Sequence, residues 1–176
     1  MPVKTYASAV YGIEAITITI EVNISGGTKY FIVGLPDNAV KESMLRVESA
    51  INNSGFRMPR QKIVVNLAPA DIRKEGSSFD LAIALGILAA SGQVDHDKLD
   101  QYLIMGELSL DGGLQSIKGA LPIAIQARKE GYKGLVLPKT NAREAAIVND
   151  FEIYELKPLK KQLVFLTEKR VQNVPL

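Results

Sequence analysis

The densest collection of reactive side chains lies in one loop, Asp71-Ile72-Arg73-Lys74-Glu75-Gly76-Ser77-Ser78-Phe79-Asp80. It joins a β-branched run to an apolar, helix-forming run. Two chemistries fit such a junction. Free backbone N–H groups at a helix start, beside Arg73, Lys74 and Ser77, can hold an anion such as a DNA phosphate. A hydroxyl there becomes a nucleophile if a base reaches it. A structural role fits as well. Ser77 as N-cap and Asp80 three positions on would form a capping box, each satisfying the other's backbone N–H.

Other sites are poorer. No G-x-x-x-x-G-K-[ST] phosphate loop occurs. Ser25-Gly26-Gly27-Thr28-Lys29 falls between two strand-like runs and reads as a turn. His96 stands among Asp95, Asp97 and Asp100, but one imidazole among solvated carboxylates is a weak ligand set, and no metal site is expected. The basic run Lys157–Lys161 reads as a helix flank, with a nucleic-acid contact as the other reading.

The chain's 176 residues include no Cys, which excludes disulfides, thiolate metal sites and Cys nucleophiles. Lys plus Arg is 21 and Asp plus Glu 19, a net +2. That balance argues against a dedicated nucleic-acid or polybasic membrane protein. The first ten residues carry no signal-peptide core, and the longest apolar stretch, Leu81–Ala90, falls short of the ~20 residues of a membrane span. A cytoplasmic chain without a membrane partner is the expectation.

Several elements must position the loop. Ile16–Ile24 alternates apolar and polar residues, the period of a half-buried strand. Ser25-Gly26-Gly27 and Tyr30–Val33 suggest that it returns as a hairpin. Asp37 or Asn38 caps a helix whose stripe is Val40, Met44, Val47 and Ile51, with Lys41, Glu42, Arg46 and Glu48 outward. Gln61–Leu67 reads as a central strand, and Ser78–Ala90 as the most buried helix. Short strands at Tyr102–Met105 and Leu108–Leu110 flank Gly106-Glu107, with a hairpin turn at Asp111-Gly112-Gly113. Ile117–Lys129 reads as a helix interrupted by Pro122, its regular part starting near Ala120 or Leu121, followed by a strand at Leu135–Leu137. Asn141 is expected to cap a short helix to Val148. A strand at Phe151–Glu155 and a helix at Pro158–Thr167 complete the reading, a mixed α+β domain of two layers.

Three stretches together are more specific than any one: Asn66–Leu88, Gly106–Leu114 followed by Gly119-Ala120-Leu121-Pro122, and Leu137–Val148. In this order they resemble the N-terminal, Lon-protease-like domain of the magnesium-chelatase-like AAA+ ATPases, the ComM/YifB family. Lys4–Ala15 and Val33–Ser43 fit as well. The resemblance implies a two-layer, ribosomal-protein-like α+β fold similar to the Lon proteolytic domain. It divides the chain into such a domain at 1–156 and a helix and tail at 157–176. These would lead toward an ATPase module lying beyond this sequence.

The resemblance also implies roles. The Lon nucleophile position falls on Ser78. The position of its lysine partner falls on Leu121, which takes no proton. Lys118, three residues earlier, is the nearest lysine, so Ser78 and Lys118 stand as vestigial catalytic candidates. The expected function is a non-catalytic module of a competence- or recombination-type DNA motor, aiding ring assembly or the engagement of DNA or a partner. The alternatives are a Ser–Lys hydrolase and a weak DNA-binding module. ATP and magnesium, a hexameric ring and DNA are implied for the full-length motor, with no cofactor in this part.

Overall fold

The computed structural model describes residues 2–156, together with the backbone of residues 170 and 171. The expected helix at Pro158–Thr167 and the basic run Lys157–Lys161 lie outside the described residues. A long antiparallel hairpin opens the chain. β1 (Val3–Tyr11) turns through Gly12 and Ile13 into β2 (Glu14–Ser25). Then come β3 (Tyr30–Val33), α1 (Asn38–Lys41), α2 (Ser43–Asn53), β4 (Lys62–Ala68) and α3 (Asp80–Ala90). The second half runs β5 (Tyr102–Ile104), β6 (Glu107–Leu108), β7 (Leu114–Gln115), α4 (Ala120–Lys129), β8 (Gly134–Pro138), α5 (Lys139–Ala145) and β9 (Glu152–Leu156), and β10 (Arg170–Val171) follows. One mixed sheet takes the order β10-β9-β8-β5-β1-β2-β4-β3, with β6 and β7 as a separate hairpin. The architecture is α+β, as expected.

The hairpin expected between β2 and β3 is not formed. β4 slots between them, antiparallel to β2 and parallel to β3. A glycine turn fixes where the chain reverses, and side-chain pattern fixes the neighbour. The inward residues of β4, Ile63, Val65 and Leu67, lie opposite Ile24, Val22 and Ile20 of β2. That match makes one continuous apolar face.

α3 covers this face. Thr5 Oγ1 donates to Ala82 O at 2.9 Å, and Gly86 lies against Val22 and Thr5. Residues 80–89 of α3 are all buried, so it is fully enclosed as its composition predicts. α2 packs against α3, with Met44, Val47 and Ile51 buried. The opposite face is covered at one end only. There Gly119, before α4, meets Val10, and Tyr132, after it, sets its ring 5.8 Å from that of Tyr6. Hence β5 and β8 are buried throughout. At the β2-β4-β3 end the same face is open, exposing Asn23, Phe31 and Val33. The two-layer expectation describes that end, and a third layer covers the other.

Two side chains depart from expectation. Arg46 does not face outward, because Asp80 draws its guanidinium inward. Asn141 does not cap its helix. It is buried, and its amide pairs with both N–H and C=O of Ile117 at 2.9 Å. Pro138 stands at the cap position.

Candidate functional site

β1 touches β5 at a single register position, Tyr6 opposite Leu103. Beyond it the two segments splay. The gap is a cleft of about 370 Å³, walled by Ser8–Tyr11, by Glu75–Phe79 and by Ser116–Lys118, with Met105, Glu107 and Ile123 completing it. Ser8 N–H meets Met105 Sδ at 3.2 Å across the gap.

The loop that forms the second wall is held from below. Asp37 accepts from Val40 N–H at 2.8 Å as a true N-cap, and from Gly76 N–H at 3.1 Å through its other oxygen. Asp37 N–H donates to Lys74 O (2.9 Å), and Lys74 N–H donates to Leu35 O (3.0 Å). The Tyr11 hydroxyl donates to Arg73 O. A rigid frame therefore presents Ser77 and Ser78, both half-buried, to the cleft.

Lys74 corrects the reading of this loop as an anion site. It has no exposed surface. Its ammonium donates to Gly34 O at 2.7 Å and to Pro69 O. Burial pulls its pKa below the usual lysine range, partly offset by Asp71. An anion at the surface would not meet this charge. Arg73 is exposed, with its guanidinium 3.5 Å from Glu75. Of the expected cations, Arg73 alone reaches solvent here.

The capping box is not formed either. Phe79 occupies the N-cap of α3, and no side chain caps it. Ser77 O accepts from Asp80 N–H (3.3 Å), and Ser78 O accepts from Gly106 N–H (3.0 Å). The Asp80 carboxylate instead binds Arg46 through Nε (2.7 Å) and Nη2 (3.0 Å), and accepts from Leu108 N–H (3.1 Å). A bidentate, charge-assisted pair outcompetes a neutral cap amide. It ties α2 and α3 to the hairpin that leads to Ser116 and Lys118.

Ser78 and Lys118 line the same cleft. Lys118 is exposed, and among the described residues no hydrogen bond joins it to Ser77 or Ser78. Leu121 stands within α4, half-buried and outside the cleft, with its N–H donated to Glu144 Oε1 at 3.2 Å. Ser8, Ser116 and Glu107 also line the cleft and were not foreseen. Their signal was weak, since Ser8 sits in a strand whose pattern of small residues hid it.

The family model described as subunit ChlI of Mg-chelatase matches residues 20–141. The competence protein ComM of Haemophilus influenzae is 45% identical over 92% of this chain and 32% of its own length. The uncharacterized protein YifB of Escherichia coli is 46% identical over 97% of this chain and 34% of its own. The peroxisomal Lon protease homolog 2 of Caenorhabditis elegans is 30% identical over 78% of this chain and 19% of its own. The chain thus spans about a third of the length of ComM and YifB. It belongs to the magnesium-chelatase-like ChlI family, as a relative of ComM and YifB.

Proposed function

We propose that this chain is a non-hydrolytic binding module of a magnesium-chelatase-like, ATP-driven motor of the competence type. It helps assemble the ring and engages a protein partner in the cytoplasm, while the assembled motor handles DNA. One observation carries the reading. The position that the resemblance to Lon proteases gives to the dyad lysine falls on Leu121, which lies outside the cleft and has no proton to exchange. A general base must reach its nucleophile by a hydrogen bond. Partner engagement is favoured over direct DNA binding because Lys74 is buried and Arg73 lies beside Glu75.

The start of α3 offers no cradle for the phosphates of ATP. The N–H groups of Asp80 and Leu81, at the start of α3, already donate to Ser77 O and Gly106 O. Lys74, the cation nearest a phosphate-loop role, points inward. Among the described residues no helix is long and apolar enough to cross a membrane.

The second reading, a Ser–Lys hydrolase, is favoured by Ser78 and Lys118 sharing one cleft. A fluorophosphonate probe separates the two. The expected result is no labelling at Ser78. Labelling lost in Ser78→Ala and in Lys118→Met, yet kept in Ser77→Ala, would establish the hydrolase instead.

A further inference from the structure

Phe31 (43% exposed), Val33 (46%) and Leu35 (53%) crowd large apolar surface onto one short segment. That segment is the edge of the sheet, since β3 pairs with β4 alone. The parallel register decides which backbone groups are free. Ile63 N–H donates to Lys29 O. Alternation then turns the N–H and C=O of Phe31 and Val33 toward β4, and those of Tyr30 and Ile32 outward. Among the described residues no loop or side chain bonds these outward groups. Natural edges are guarded by shortness, lysines, proline, bulges or inward-pointing charge. β3 is short and has lysines beside it, but it has no proline, bulge or inward-pointing charge.

The open face beside this edge is basic. Lys29 shares the face of Phe31, and Lys62 holds its ammonium 5.6 Å from the Phe31 ring centroid. Glu21 lies two strands in and accepts from Asn66 at 3.0 Å. On the other face Tyr30 lies near Glu48 and Arg60, with Glu48 acting on its phenol more strongly than Arg60.

We propose that β3 is a docking edge for an extended, acidic segment of a partner protein. The segment adds as a further strand, bonds Tyr30 and Ile32, covers Phe31 and Val33, and sets carboxylates against Lys29 and Lys62. A second copy of this chain is the poorer occupant. An antiparallel self-pairing of Tyr30 with Ile32 would use every free group. It would also bring two Lys62 ammoniums together at the two-fold axis, each above its own Phe31 ring.

The inference rests on the reading of the chain as a binding module, yet its test is independent of the Ser78 probe. The isotope-labelled chain is titrated with a blocked peptide whose valine-threonine centre is flanked by glutamates, and with a twin flanked by lysines. Saturable shifts of the Tyr30 and Ile32 amides are expected, with the acidic peptide bound about tenfold more tightly. Lys29→Glu combined with Lys62→Glu should reverse that preference. Ile32→Pro, which removes an outward N–H, should abolish the shift of the Tyr30 amide. Absent shifts, or equal affinity for the two peptides, would overturn the proposal. So would concentration-dependent self-association that moves the same amides without peptide.

Discussion

Lys74 shows how far one residue's environment can invert its reading. In the sequence it is a cation on a polar loop. In the fold it is a staple, with its ammonium clasped by the carbonyls of Gly34 and Pro69 and its backbone bonded to Leu35 and Asp37. Lys74→Met keeps the bulk but strands these acceptors, so it should destabilise the chain by about 2 kcal/mol. The lysine's folded pKa lies below its unfolded value, so the unfolded state binds more protons in the interval between them. Stability from this residue therefore rises with pH through that interval. The gap in melting temperature between wild type and Lys74→Met should widen as pH rises toward 10.5. A constant gap would mean that the ammonium is not desolvated. The sequence singled out this loop for its reactive side chains, and the fold sets Ser77 and Ser78 against a cleft. The sequence did not show which charges turn inward, because that depends on carbonyls forty and five residues away.

Elements were legible where one periodicity dominates. The stripe Val40, Met44, Val47 and Ile51 is buried as predicted, and α3 is enclosed on all sides. Pairing was less legible, since β2 and β3 are adjacent in sequence but parted by β4. Local turn chemistry carries no information about a strand that arrives forty residues later. α3 itself offers a test of how closely helix and sheet approach. A Cβ on Gly86 would lie 2.7 Å from Val22 Cγ2. Alanine normally gains about 1 kcal/mol over glycine inside a helix. Overpacking against a stiff, buried β-branched residue costs about 1–3 kcal/mol and should win. Gly86→Ala is therefore expected to lower the melting temperature by about 2–4 °C. Adding Val22→Ala should restore part of it, because the removed methyl groups are those that clash. Simple additivity of the two losses would show that the approach is not the constraint.

At the scale of the whole molecule, the doubly covered half of the sheet gathers its tyrosines where water is scarce. Tyr102 is buried beneath β8 and β9, with its hydroxyl donated to Glu152 Oε2 at 2.8 Å and its ring edge-on to Tyr154 at 5.4 Å. Burial, reinforced by Glu152, pushes its phenol well above the ordinary value. Tyr132, on the far side of the sheet, is pushed up to about 12, by burial first and then by Glu130 and Tyr6. Both groups favour the neutral form in the folded state. Their contribution is complete below pH 10, where the unfolded chain also keeps its phenols protonated. It is lost as pH rises from 10 through the folded values, because the unfolded chain releases protons first. The half that carries the third layer should therefore set the alkaline limit of the fold. Melting temperature should hold up to pH 10 and fall steeply from there to pH 12. Tyr102→Phe starts lower at pH 8, having lost the bond to Glu152, but should fall less over the same interval. Parallel curves for the two proteins would show that some other group governs alkaline unfolding.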